Sequence, residues 1–240
     1  GRLYLEKFNQ AEATRELKQA LAINPSAAEV HVALGELAAQ KYQFDDAKRL
    51  AEAALELNPG LVSAHRLLAD SMMANFKVSE AAEKLVETVK LNPVSEETLG
   101  RLAAFYLILD GKPAADNQDA RFNQLAAEVV ARNPRCGQFY LTLALSLEER
   151  RRFSMSEEYF QAAMDRMPQL IGSRAGLGML YMRMGQEAEG HKLLKEAFEI
   201  DPFNVRVSNT LKVLEVLDDY ETLQTEHFTL KFAGKEDTIL

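Results

Sequence analysis

Prolines recur at a fixed interval along this chain of 240 residues. Pro59 follows Pro25 by 34 positions, and the series then continues through Pro93, Pro134, Pro168 and Pro202. The step is again 34 at each stage except one, because Pro134 lies 41 positions after Pro93. A constant period of this length is typical of proteins that stack many copies of one small structural unit. The spacing therefore predicts an all-α array of about six units, each packed mainly against its neighbours.

Each unit has the pattern of two antiparallel helices. In the unit that ends at Pro59, the pattern predicts a first helix over residues 28–41 and a second over residues 45–57. Small side chains recur at helical spacing along one face of the second helix: Ala47, Ala51 and Ala54. Small residues at such positions let two helices approach closely. The unit is therefore expected to be a tight helical hairpin.

The fourth and fifth units carry distinctive local signals. The seven additional residues of the fourth unit are expected near residues 110–119, where Gly111, Pro113, three aspartates and an asparagine indicate a loop. In the fifth unit, the run Ser154-Met155-Ser156-Glu157 predicts a capping box, in which Ser154 and Glu157 bond to each other's backbone N–H groups.

The two ends of the chain depart from the repeat. Residues 1–5 occupy the place of the end of a first helix, so the first repeat is expected to be truncated. Residues 203–217 predict one more helix that caps the array, whose predicted range is 1–217. Beyond it, residues 226–232 alternate apolar and polar, which indicates a strand. Residues 218–240 are therefore expected to be a linker and the first strand of a following domain.

Composition excludes several classes of function. The net charge of −8 argues against a broad phosphate-binding surface, so no nucleic-acid partner is expected. No apolar run reaches the roughly 20 residues that a membrane-spanning helix needs. The four histidines do not stand at zinc-ligand spacing, and no glycine-rich phosphate loop or nucleophile motif occurs. We expect no catalytic, cofactor-binding or metal-ligating residues, and the sequence does not indicate a cellular compartment.

The repeat resembles the tetratricopeptide repeat. In the second unit the resemblance rests on Leu34, Gly35, Ala47, Ala54 and Pro59, and in the sixth on Leu177, Gly178, Tyr181, Ala197 and Pro202. It implies a right-handed superhelix of about six helix-turn-helix repeats, followed by the capping helix and a short β-like tail. Proteins of this family bind other proteins or peptides in a concave groove that the first helices line.

Repeat phase predicts which side chains line that groove. They share one face of successive first helices, and the predicted partner-binding residues are Glu29, Val32, Glu36, Arg66, Asp70, Met73, Gln138, Leu141, Leu145, Glu148, Met179 and Met182. The first half of this set is mainly polar and the second half is richer in leucine and methionine. Leucine and methionine on a concave wall suit an adaptable apolar partner. Two alternatives are that tight curvature buries these side chains, or that the segment after Leu217 or a following domain covers them.

Three functions remain open at this stage. The first is a non-catalytic scaffold that binds a peptide or a neighbouring domain in the groove. The second is the substrate-positioning or regulatory arm of a larger zinc metallopeptidase, because the tail around residues 227–232 resembles the first strand of peptidase-MA-like domains. The third is a self-assembly module, since a truncated first helix exposes Leu3 and Tyr4 and permits homo-oligomers through exposed ends.

Overall fold

A computed structural model describes residues 1–233, which form thirteen helices and two short strands. Twelve of the helices are arranged as six successive antiparallel hairpins. In chain order these are α1 (Arg2–Glu6) with α2 (Gln10–Ile23), α3 (Ala28–Gln40) with α4 (Phe44–Leu57), α5 (Val62–Ala74) with α6 (Val78–Leu91), α7 (Glu96–Asp110) with α8 (Arg121–Arg132), α9 (Gly137–Glu149) with α10 (Phe153–Arg166), and α11 (Ile171–Arg183) with α12 (Glu187–Ile200). The thirteenth, α13 (Val205–Asp218), packs on α12.

Small residues hold the hairpins together, as the sequence predicts. Ala47, Ala51 and Ala54 of α4 are fully buried. A Cβ added at Gly35 of α3 would lie 2.4 Å from Leu67 Cδ2 of α5, so only glycine allows this approach. The first helices also contact one another directly, α1 with α3, α3 with α5, α7 with α9 and α9 with α11. The first helices therefore lie on the inner, concave side of the curve.

The recurring Asn-Pro pairs form the corners between hairpins. At five of the six corners the side-chain Oδ1 of the residue before proline accepts a hydrogen bond from the backbone N–H two positions on, at 3.1 Å for Asn24 and 3.2 Å for Asn58; Met167 precedes the remaining proline, Pro168. Asp201 accepts the same bond from the N–H of Phe203 at 3.3 Å. This Asx-turn is what Asn and Asp side chains supply at chain reversals. It explains why the sequence period is visible at these positions.

In every hairpin except the fourth, the turn between the two helices passes through the left-handed backbone conformation. The residue concerned has a φ of 57° at Phe8, 60° at Tyr42 and Phe76, and 56° at Arg151, and in the sixth hairpin it is Gly185 with 77°. Only the glycine adopts this conformation without steric cost. Tyr42 and Phe76 are nevertheless 79% and 85% exposed, so no packing of the array compensates the strain at these two turns.

The fourth hairpin is looser than the others. Residues 111–120 contain no helix, and Arg121 at the start of α8 donates two hydrogen bonds to the Asp110 carboxylate, at 2.9 and 2.7 Å. Val129 is the one buried residue of α8. Helix α7 packs more extensively on α9 than on α8. The middle of the array is therefore built by the direct contact of the inner helices α7 and α9, and we call this contact the central bend.

The predicted capping box in the fifth hairpin is wrong. Helix α10 begins one residue earlier, at Phe153, and no side chain caps it. The hydroxyl of Ser156 is fully buried and donates to the carbonyl of Ala144 in α9 at 2.8 Å, while Glu157 accepts from the Tyr181 hydroxyl. Packing between helices therefore uses Glu157, one of the two side chains that the predicted capping box would have needed locally.

The chain after α13 forms a β-hairpin. Strand β1 (Glu221–Gln224) pairs antiparallel with β2 (Thr229–Phe232), with Leu223 opposite Leu230. The predicted strand thus has a partner within the chain, at residues 221–224, where the sequence pattern predicts only a linker. The part of the predicted linker and strand at residues 234–240 lies outside the described residues.

The two ends of the array touch. The Lys7 Nζ lies 2.5 Å from Asp201 Oδ2, and the backbone N–H of Val205 donates to the Lys7 carbonyl at 2.9 Å. The guanidinium carbon of Arg206 lies 5.5 Å from the ring centroid of Phe8. We call these five residues the end contact. It joins the turn of the first hairpin to the corner before α13.

Candidate functional site

The polar half of the concave groove is a network of ion pairs between neighbouring first helices. Arg66 of α5 pairs with Glu97 of α7 at 2.5 Å. Arg101 Nε of α7 donates to both carboxylate oxygens of Asp70, at 2.9 and 3.0 Å, and its Nη1 donates to the Glu97 carbonyl at 3.3 Å. Because Nε has a single hydrogen, this is a three-centre bond, and the charges on both groups make it stronger than a bond between neutral groups. Long side chains thus bridge α5 and α7 across the concave face.

Burial and charge set the pKa values in this network. Burial lowers the pKa of Arg66, and the nearby Arg101 lowers it further. Burial also opposes the charge of Arg101, but the Asp70 carboxylate outweighs it and raises the pKa of Arg101. Burial raises the pKa of Glu36, although Arg2 partly offsets that effect. The arginines stay charged at neutral pH, so their ion pairs act as a fixed charge pattern.

Glu149 is the exception in the middle of the groove. It ends α9 and faces the carboxylate of Asp70 and the guanidinium of Arg101. Glu149 is exposed to solvent overall, but partial desolvation of its carboxyl, followed by repulsion from Asp70, raises its pKa from 4.5 to about 7. Within residues 1–233 it forms no ion pair within 4 Å. Arg101 and Arg150 offset the rise only in part, so the carboxylate is available to a further cation.

The later half of the groove is more closely packed than the sequence indicates. Glu148 is 7% exposed and pairs with Arg183 at 2.8 Å, and burial raises the pKa of its carboxyl. Met182 packs on α12, because a Cβ added at Gly190 would lie 2.9 Å from its sulfur. Met179 accepts a long contact of 3.6 Å from the Thr210 hydroxyl of α13. Leu145, at 39% exposed, is the large apolar side chain that stays accessible here.

The structure separates the predicted partner-binding residues by accessibility. Exposed ones are Glu29 and Leu145, and the half-buried ones are Glu36, Arg66, Asp70, Gln138, Met179 and Met182. Buried ones are Val32, Met73, Leu141 and Glu148. The tight curvature brings inner helices together over the buried positions, which repeat phase alone does not reveal. Repeat phase missed Arg101 and Glu149, because each lies one position after the residue that this phase places in the groove. The sequence signal that could have revealed Arg101 is its opposite charge to Asp70, 31 residues earlier.

Other chemistry-bearing residues have structural roles. His31 and His65 each place a ring nitrogen near the carbonyl of the preceding repeat proline, at 2.9 and 2.8 Å. No three or more His, Cys, Asp or Glu side chains come together as a metal site in the described residues. Burial raises the pKa of the Cys136 thiol, the reverse of what an activated thiol needs. Of the helices in residues 1–233, none combines the length and apolarity that crossing a membrane requires.

Comparisons with known proteins support the repeat assignment. The family model described as tetratricopeptide repeat matches residues 172–204, which include α11 and α12. A search of curated protein sequences finds no match.

Solved structures of repeat proteins share the fold. A thermophilic tetratricopeptide-repeat protein of Thermus thermophilus is 21% identical, with a TM-score of 0.52 over 80% of this chain and 100% of that one. The structure of pilF of Pseudomonas aeruginosa is 17% identical, with a TM-score of 0.50 over 88% of this chain and 92% of the other. A chain of the Cut9–Hcn1 hetero-tetramer of APC/C is 13% identical, with a TM-score of 0.53 over 89% of this chain and 41% of that one.

At these identities the likeness shows the fold alone, and the fold is one of generally non-catalytic protein-interaction scaffolds. The repeat period, the stacked hairpins and the matched repeat together support the fold of a tetratricopeptide-repeat protein for this chain.

Proposed function

We propose that this protein is a non-catalytic scaffold that binds an extended, basic segment of a partner protein along its concave groove. The observation that supports it most is the position of Glu149, an exposed carboxylate near Asp70 and Arg101 whose pKa is raised to about 7. A lysine or arginine of a partner would relieve the repulsion between the two carboxylates and pair with Glu149.

The rest of the groove favours the same kind of partner. Arg66 and Arg101 are already engaged by Glu97 and Asp70, which leaves little free positive charge on this part of the wall. Glu29 is exposed at the start of α3 and adds negative charge at the edge. Leu145 supplies an accessible apolar contact one turn before Glu149. The segment would therefore alternate basic residues with an occasional apolar one.

Fluorescence anisotropy with two labelled peptides tests the proposal. The peptides have equal length, one built from Gly-Ser-Lys units and the other from Gly-Ser-Glu units. We expect the lysine peptide to bind and the glutamate peptide not to bind. Glu149→Gln should weaken lysine-peptide binding by about 3- to 10-fold, as expected for one partly desolvated charge pair.

The matched control removes a charge elsewhere. Glu56→Gln lies on the exposed face of α4, on the outer side of the array, and gives the same change in net charge. We expect it to leave the affinity unchanged. Equal loss in both variants would show that only the overall charge attracts the peptide, and this result would refute binding in the groove.

A further inference from the structure

The end contact has a consequence for access to the groove. It joins residues 194 positions apart through an ion pair, a backbone hydrogen bond and an arginine over an aromatic ring. Lys7 and Asp201 are 29% and 13% exposed at the side chain, so this pair is better shielded from water than the surface pairs of the outer helices, such as Lys48 with Glu52 at 47% and 52%. Shielding from water lowers the local dielectric constant, which strengthens the attraction between the Lys7 ammonium and the Asp201 carboxylate.

We propose that the end contact is a latch that holds the array closed in the free protein, and that a partner segment enters the groove after the latch opens. The latch does not use any residue of the predicted groove. It joins the turn after α1 to the corner before α13, at opposite ends of the chain. Breaking it separates the first and last hairpins, while the contacts between neighbouring hairpins stay intact.

The middle of the array is suited to accommodate the opening. Helices α5 and α7 are linked through Arg66, Arg101 and their carboxylate partners, and long side chains tolerate small changes of helix separation. A contact between two closely packed helices tolerates less change in their separation, because their side chains interlock at high density. We therefore place the movement of the opening array between α5 and α7.

The latch is also connected to the groove through Arg206. Arg206 lies near Arg183, which pairs with Glu148 of the groove at 2.8 Å. A basic group of a partner that reaches this largely buried carboxylate would compete with Arg183 for it. Partner binding and latch release would then favour each other, since each state biases the other by the same free energy.

Closure can be measured without any partner. Dyes are attached to cysteines introduced at the exposed positions Gln19→Cys in α2 and Lys212→Cys in α13, and the energy transfer between them reports the separation of the ends. The native Cys136 is fully buried and stays unlabelled. Lys7→Glu should lower the transfer efficiency and raise the ratio of open to closed molecules at least tenfold. The charge swap of Lys7→Glu with Asp201→Lys should restore the efficiency.

Controls separate opening from unfolding. Lys48→Glu breaks the surface pair with Glu52 and should leave the transfer efficiency unchanged. Circular dichroism and the thermal midpoint check that each variant is folded, and Lys7→Gln serves as a milder variant in case Lys7→Glu unfolds. Identical efficiency in the wild type and in a folded Lys7 variant, or no recovery in the swap, would overturn the latch.

The role in access rests on the proposed function and has its own readout. Stopped-flow mixing with the Gly-Ser-Lys peptide should give faster association with Lys7→Glu than with the wild type. If the ends separate and the association rate stays the same, the latch exists but does not control access, and that part of the proposal fails. If the ends separate and neither protein binds the peptide, the proposed function fails while the closure stands.

Discussion

Gly100 is the position where a single methyl group tests the packing of the central bend. A Cβ at this position would lie 2.5 Å from the backbone carbonyl oxygen of Phe139 and 3.0 Å from Thr142 Cβ. Carbon and carbonyl oxygen normally approach no closer than about 3.3 Å. Helix α7 would therefore have to move about 0.8 Å away from α9, since the backbone of Phe139 cannot rotate out of the way.

The size of the effect follows from two opposing contributions. Overpacking of a tight core costs about 1–3 kcal/mol, and a clash with backbone belongs at the upper end. Replacing glycine by alanine inside a helix gains about 1 kcal/mol. We expect Gly100→Ala to lower the free energy of unfolding by about 2 kcal/mol, which corresponds to a thermal midpoint about 4–8 °C lower.

Urea unfolding followed by circular dichroism measures this difference. Gly172→Ala in α11 is the matched control, because its added methyl would meet only the flexible end of Leu141, at 3.1 Å. We expect the control to change the free energy of unfolding by less than about 0.5 kcal/mol. Equal stability of Gly100→Ala and the wild type would refute the direct contact of α7 with α9.

Three further predictions concern strain, pH and the fifth hairpin. Phe76→Gly should raise the free energy of unfolding by about 0.5–1 kcal/mol in urea titrations, because glycine accepts the φ of 60° and Phe76 contributes little packing. The raised pKa of Glu149 stabilises the folded protein fully below the ordinary pKa of 4.5, and this contribution is lost as the pH rises toward about 7. Thermal midpoints should therefore fall over that range, and Glu149→Gln should fall less; parallel profiles would contradict this. Ser156→Ala should cost about 1 kcal/mol and Ser154→Ala nearly nothing, whereas a capping box would make Ser154 the costly position.

The sequence predicts the hairpins well because their signals are local. The Asn-Pro corners depend on one Asx-turn each, and the alanine faces of second helices depend on helical spacing, as at Ala47 and Ala54. Both signals are complete within one repeat. The sequence predicted strand β2 but not strand β1, because β1 (Glu-Thr-Leu-Gln) has a single strongly apolar residue and therefore shows no alternation.

The groove is less predictable because its accessibility depends on how neighbouring repeats curve. Repeat phase places Val32 and Met73 on the same face as Glu36, but the next inner helix covers them. Arg101 carries the strongest pair of the groove at a position adjacent to a tightly packed glycine. Such a residue is identified only when the partner helix is placed beside it.

The loose attachment of α8 has a consequence for how the protein unfolds. In a linear array, cooperativity passes from one unit to the next only through their shared contact surface. Where one unit is thinly attached, the chain on either side can melt at its own temperature. We expect α8, with Val129 as its one buried residue, to exchange its amide hydrogens well before its neighbours. The direct contact of α7 with α9 would then decide whether the two flanks melt together or in sequence.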